Sequence, residues 1–255
     1  MGGDGGSAME AEFGVQALWT AEAVRELGPE YAIPAACKGS ASPAMLRWLG
    51  QVCGLRENDV LADVGGGLGG PAAFAAREYR VRPIVLEPMV EACRAARSLF
   101  GVPALSVLGD RLPLADGCAD AVWCLGVLCT TPDKPALLEE IARVLKPGAG
   151  LGMLVFTADE PRPAGAPEGN EFPCEDELPG LLEKHGLEVA AVVAGEGLQD
   201  HGQGWTRWAA EVSALVGRRH AGDPRLDEAR EQERRIGELI ADGTVRARLL
   251  GAVRR

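Results

Sequence analysis

The stretch "VLADVGGGLGGPAAFAA", Val60 to Ala76, decides how the chain is read. A short apolar run closes on three consecutive glycines. Two more follow, and an alanine-rich run begins at Pro71. The pattern is that of a strand turning sharply into a helix, with the backbone free to approach a ligand because no Cβ intervenes. Two motifs fit it. From Gly65 to Gly70 the stretch reads G-x-G-x-x-G, a dinucleotide loop. From Asp63 to Gly69 it reads D-x-G-x-G-x-G, a loop for a different cofactor.

Working outward, the chain alternates strands and helices. Upstream, "FGVQALWTAEAVREL" (13–27) spaces Val15, Leu18, Ala23, Val24 and Leu27 as a helix does, and "GPEYAIPAACKGSAS" (28–42) reads as a loop rich in turn residues. Ser42 caps a further helix with Pro43 in its first turn. Downstream come the strand "RPIVLE", a helix stopped by Gly101, a weaker strand "ALSVLG" and the buried run "DAVWCLGVLC". An amphipathic helix carrying Leu137, Leu138, Ile141 and Leu145 and ending at Pro147-Gly148 leads to the strand "LGMLVFTA". This rhythm predicts a mainly parallel sheet with helices on both faces. In the last third, "EDELPGLLEKHGLEVAAVVAG" adds a helix and a strand. Two helices then break the rhythm: one from Trp205, and one capped by Asp223-Pro224 and stopped at Gly243. "TVRARLLGAVRR" reads as a final strand.

Composition narrows the partners. The chain has 255 residues, 47% of them hydrophobic, enough for a full core in one domain. A net charge of −11 argues against a nucleic-acid partner, whose phosphates select for clustered cations. No run approaches the roughly 18–20 apolar residues of a membrane span. The acidic, glycine-rich start lacks the form of a signal peptide, so a cytoplasmic protein with a flexible tail at 1–12 is expected. Seven cysteines, with no C-x-x-C among them, read as reduced thiols, and no metal is expected. The oligomeric state, a homodimer included, is left open.

In a sheet of this kind ligands bind beyond the carboxyl ends of the strands. Glu87 ends the second strand, where a carboxylate can accept hydrogen bonds from two ribose hydroxyls. That suits any adenosine-bearing cofactor. Three features favour S-adenosylmethionine: Asp63 ahead of the glycines, near a cationic amino-acid end; Gly109-Asp110 after the third strand, facing an adenine amine; and a small-residue turn at Gly126 before "LLEEIARVLKPGAG".

With "VLADVGGGLGG", "LEPM", "GDRLPLADGCADAVWCLGVL" and "ALLEEIARVLKPGAG" in order over about 57–156, the chain resembles the class I S-adenosylmethionine-dependent methyltransferases, especially small-molecule enzymes of the ubiquinone, sarcosine and tocopherol type. The resemblance implies an α/β, Rossmann-like seven-stranded sheet with an antiparallel last strand over 245–252. It implies a single domain over 13–255: an N-terminal helical lid at 13–56, a core at 57–196 and 244–255, and a helical cap insertion at 197–243. Asp63, Gly65, Gly67 and Gly69 would wrap the methionine part of the cofactor. Glu87 would hold the ribose and Met89 pack on the adenine. Asp110 and Arg111 would face the adenine edge, and the Leu125 backbone would take the amino group.

Methyl transfer from a sulfonium needs mainly close, in-line placement and exclusion of water. A hydroxyl or carbon acid also needs a base. Of the three histidines, His201 lies just after the sixth strand, at the right edge of the sheet, and is the candidate base. Relatives often carry a histidine after the fourth strand; here the stretch reads "LCTTPD", with Thr130 near that place, which leaves the base open. Trp205 and Trp208, with Trp19 and Tyr31 in the lid, offer faces for a cationic acceptor or serve as packing. Asn170 and Phe172 border the same region. Cys124 and Cys129 flank the turn after the fourth strand, but their spacing does not match the arsenite methyltransferases. The expected function is methylation of a small-molecule acceptor. The alternatives are a cyclase or isomerase on the same fold and a non-catalytic cofactor-binding protein.

Overall fold

The computed structural model describes residues 5–37, 41–198, 202 and 204–255, with side chains from Gly14 onward. In chain order these form α1 (Gly5–Leu27), a 3-10 turn (Pro29–Tyr31), α2 (Ala32–Ala36), α3 (Pro43–Val52), β1 (Val60–Val64), α4 (Gly70–Tyr79) and β2 (Arg82–Glu87). Next come α5 (Val90–Phe100), β3 (Ala104–Ser106), β4 (Ala119–Leu125), α6 (Lys134–Val144) and β5 (Leu145–Ala158). The chain ends with α7 (Leu178–Glu183), β6 (Leu187–Ala194), α8 (Trp205–Arg219), α9 (Pro224–Ala241) and β7 (Val245–Arg254).

One seven-stranded sheet runs in the order β3-β2-β1-β4-β5-β7-β6. β1 pairs in parallel with β2 and β4, whereas β7 runs antiparallel between β5 and β6. β1 and β4 are buried nearly throughout, as parallel strands covered on both faces must be. On one face, Leu137, Leu138 and Ile141 of α6 and Leu182 of α7 pack on the sheet. On the other, Leu46 and Leu49 of α3 and Phe74 of α4 do so. A separate cluster joins α1, α2, α8 and α9: Trp19, Ala23, Val24, Ala35, Val212, Leu215 and Leu226.

The caps follow the sequence. The Ser42 hydroxyl accepts from the Met45 N–H at 3.1 Å with Pro43 in the first turn. The Asp223 carboxylate accepts from the Arg225 N–H at 3.0 Å with Pro224 behind it.

Three boundaries differ from expectation. Helix α1 begins at Gly5, inside the stretch expected to be a tail over 1–12. The stretch 28–42, expected to be a loop, holds a 3-10 turn and α2; Pro29 and Pro34 each sit in a first turn, where the missing N–H costs nothing. Helix α6 ends at Val144, before Pro147-Gly148, because Leu145 turns extended to pair with Ala119 and opens β5 directly. Among the described residues no helix is long and apolar enough to cross a membrane.

Candidate active site

The carboxyl ends of β1, β2 and β4 converge on the glycine loop. Gly65, Gly67 and Gly69 all take positive φ, at 68°, 53° and 76°, conformations that only glycine adopts cheaply. The Gly65 N–H donates to the Leu86 carbonyl at 2.7 Å, tying the loop to the end of β2. Glu87 is buried and holds the loop from below: one oxygen accepts from the Gly67 N–H at 2.9 Å, the other from the Met89 N–H at 3.2 Å.

Asp63 is only 1% exposed, and among the described residues no donor reaches either oxygen in hydrogen-bond geometry. Burial, followed by the neighbouring Glu87 charge, pushes its carboxyl up to about 7; the Ala72 N–H gives only partial relief. A buried, unpartnered carboxylate calls for a cation. It also explains a glycine that the turn does not require: a Cβ on Gly66 would lie 2.7 Å from Asp63 Oδ2. Gly70 opens α4, where a Cβ would sit 2.5 Å from the Ala36 carbonyl carbon, so the end of α2 is seated directly on this turn.

Beyond β4 the wall is apolar. Leu125 is buried at the strand's end, and the Gly126 N–H donates to the Leu154 carbonyl at 2.8 Å. Val127 leans on the loop so closely that its Cγ2 would be 2.3 Å from a Cβ on Gly65. The Phe156 ring reaches within 3.7 Å of the Cβ position on Gly126. Sequence reasoning nominated neither Val127 nor Phe156. The available signal was place alone, each lying at or just past the carboxyl end of a central strand. The thiols here are inert, because burial pushes Cys124 up to about 12 and Cys129 to about 11.

The remaining nominated residues disperse. Met89 is half-buried and packs among Ala17, Ala21, Ala92 and Ala95, between α1 and α5. Asp110 and Arg111 lie exposed on the turn after the edge strand β3, where the Arg111 charge acts on Glu140. The Thr130 hydroxyl is turned back to the Val127 carbonyl at 3.0 Å. Asn170 is half-buried in the loop after β5. His201 lies outside the described residues.

The aromatic residues split among three places. Trp19 stacks on His220 at 3.9 Å with Arg225 against its ring at 5.3 Å, so it packs α1 against α8 and α9. The Tyr31 hydroxyl donates to Glu211 at 2.8 Å, and its ring meets Trp208 edge-on. Trp205 and Trp208 line a cleft of about 310 Å³ on the outer side of α4, with Phe74 and Ile33. Phe172 is fully buried between Cys129 and Leu239, and its surroundings open to a separate cavity of about 560 Å³ with Lys134 and Glu171.

The strand order, the antiparallel β7 and a glycine loop latched by the acid that ends β2 define the fold of the class I S-adenosylmethionine-dependent methyltransferases. Residues 62–153 match the methyltransferase-domain family. The chain is 32% identical over 116 residues to a 2-methyl-6-phytyl-1,4-hydroquinone methyltransferase of a Synechocystis species; the match covers 44% of this chain and 35% of that relative. The chain thus spans about a third of the length of that relative. Two solved structures share the fold. The cyclase SpnF has a TM-score of 0.64 and 21% identity, covering 82% of this chain and 80% of its own. The cyclopropane synthase MmaA2 from Mycobacterium tuberculosis has a TM-score of 0.66 and 15% identity, covering 83% of each.

Proposed function

We propose that the protein binds S-adenosylmethionine at the glycine loop and transfers its methyl group to a small-molecule acceptor. The observation that carries this is the pair of buried carboxylates, Asp63 without a hydrogen-bond partner among the described residues and Glu87 accepting from the Gly67 and Met89 amides, beneath a loop in which the Cβ position of Gly67 faces open space. The residues fit that cofactor. Asp63 would meet its cationic amino-acid end and Glu87 the ribose, while Gly65, Gly67 and Gly69 admit the chain between them. The cofactor supplies its own leaving group as a sulfonium. This chain's residues supply placement and dryness: Val127 and Phe156 form an apolar wall that keeps water from the reacting carbon.

Small-molecule acceptors are supported by the hydroquinone substrate named for the relative. The acidic chain disfavours a nucleic-acid acceptor. Thr130 stands near the place where relatives often carry a histidine, and its hydroxyl is turned back to the Val127 carbonyl, which favours an acceptor nucleophilic without enzymatic deprotonation, such as a neutral amine or thiol.

Calorimetry with S-adenosylmethionine and S-adenosylhomocysteine tests the cofactor. Binding of both is expected, and no binding at millimolar concentration would sink the proposal. Incubation with a panel of small-molecule acceptors should form S-adenosylhomocysteine in step with product. Product without it would assign cyclase or isomerase chemistry instead.

A further inference from the structure

Among the described residues, Ser42, Asp63, Glu87 and Thr157 are the buried polar or charged side chains. Asp63 and Glu87 lie at the glycine loop. The Thr157 hydroxyl stays within the sheet and donates from β5 to the Arg246 carbonyl of β7 at 3.3 Å. Ser42 serves two elements at once. Its hydroxyl oxygen accepts from the Met45 N–H at 3.1 Å, which caps α3. The same hydroxyl donates to the Leu198 carbonyl at 2.6 Å, across 156 positions of the chain. A helix cap needs only the accepting oxygen. The donated bond is surplus to the cap.

That bond joins two segments that meet above the carboxyl edge of the sheet. Leu198 ends a second 3-10 turn, Gly195–Leu198, which follows β6. A Cβ on Gly195 would lie 2.9 Å from that of Ala247 and 3.3 Å from Met45 Cε, so this turn is seated on β7 and α3. On the other side, Ser42 stands five residues after Cys37, at the end of α2 over Gly70. Cys37, Ala41 and Met45 from one segment, and Leu198 and Trp205 from the other, share a single apolar cluster with Leu125 and Phe156 of the site's wall. Apolar packing has no direction and lets two segments slide, whereas a hydrogen bond fixes their register.

We infer that Ser42 is a positioning residue: its donated hydrogen bond locks the start of α3 to the turn after β6, so that the two form one roof that retains the bound cofactor. This rests on the cofactor reading above.

Ser42→Gly separates the two bonds. Glycine caps a helix nearly as well as serine, so α3 keeps its start while the donor to Leu198 is gone. S-adenosylhomocysteine is the probe. It should leave Ser42→Gly roughly three- to tenfold faster than wild type, the worth of one buried hydrogen bond, with association little changed. In the ligand-free protein, hydrogen exchange should quicken in the turn after β6 and at the start of α8 and stay slow in α3. Ser42→Ala loses cap and tie together and should quicken α3 as well. Ser42→Thr keeps both and should restore slow release.

Release from Ser42→Gly as slow as from wild type would overturn the inference and leave Ser42 a plain helix cap. Exchange that quickens in α3 as much as in the turn would do the same. Ser42→Asp, an equally good cap without a donor, gives a second reading should the glycine variant not fold. It should also release the ligand faster than wild type, and wild-type release from it would overturn the inference. If wild type binds no S-adenosylhomocysteine, the cofactor reading falls, and the exchange pattern alone decides whether the tie exists.

Discussion

At the glycine loop, contact is backbone on backbone and backbone on carboxylate. A Cβ on Gly70 would strike the Ala36 main chain, one on Gly66 would strike Asp63, and Glu87 grips two amides. In the helical cap, contact is side chain on side chain: Trp19 stacks on His220, Arg225 packs against Trp19, and Tyr31 bonds to Glu211. Main chain has no rotamers with which to yield, so the loop tolerates one residue type per position. Side chains repack, so the cap can be rebuilt around many sequences. The two regions should thus fail differently when mutated.

The largest effect on cofactor binding belongs to the loop. Gly70→Val places three carbons where α2 main chain already sits, so α2 must lift. Overpacking of this kind costs about 1–3 kcal/mol, and here it also unseats the cover over Asp63. Loss of detectable cofactor binding together with a lowered Tm is expected. Normal binding would mean that Gly70 is only a convenient helix start. Next comes the cap. Trp19→Ala empties a nearly buried site and should cost about 3 kcal/mol or more locally. Because Trp19 belongs to the cap cluster and not to the sheet core, hydrogen exchange should quicken in α1 and α8 while β1 and β4 stay protected. Uniform quickening across the sheet would erase the distinction between the two regions.

That distinction also sets how much was legible beforehand. The sheet was readable because each central strand is an apolar run bounded by turn residues, and the loop because only glycine serves there. Asp63 and Glu87 were legible by their places at the strand ends. The cap was readable as helices but not as contacts. Trp19, Tyr31, Trp205 and Trp208 share a composition signal and no spatial one, and the fold sends Trp19 to a stack, Tyr31 to a hydrogen bond and the other two to an outer cleft. Phe172 is both core and the edge of a cavity with Lys134 and Glu171, because the loop after β5 packs against α9. Val127 and Phe156 went unseen because an apolar residue at a strand end looks like any other core residue until the neighbouring turn is placed.

A third comparison uses glycine in both regions. Gly237 lies exposed in the interior of α9, with nothing within 4 Å of a Cβ and no positive φ. Gly237→Ala should stabilise the protein by up to about 1 kcal/mol, through helix propensity alone. A rise in Tm with unchanged cofactor affinity is expected. Destabilisation would show that α9 carries a contact at that position which the fold does not display.

The smallest effect tests whether charge holds the cap closed. Arg219 at the end of α8 is paired with Glu26 near the end of α1, and both side chains are substantially exposed. An exposed pair gains little Coulomb energy in water and loses side-chain entropy, so its net worth is below about 1 kcal/mol. The cap is instead held by the apolar faces of Trp19, Val24, Val212 and Leu215. Glu26→Gln should therefore shift Tm by no more than a degree or two, and the shift should vanish in salt, where screening reaches exposed charges first. Cofactor affinity and hydrogen exchange in α1 should be unchanged. A loss of exchange protection in α1 comparable to that of Trp19→Ala would mean that the cap is latched electrostatically rather than packed, and the contrast with the loop would have to be redrawn around charge.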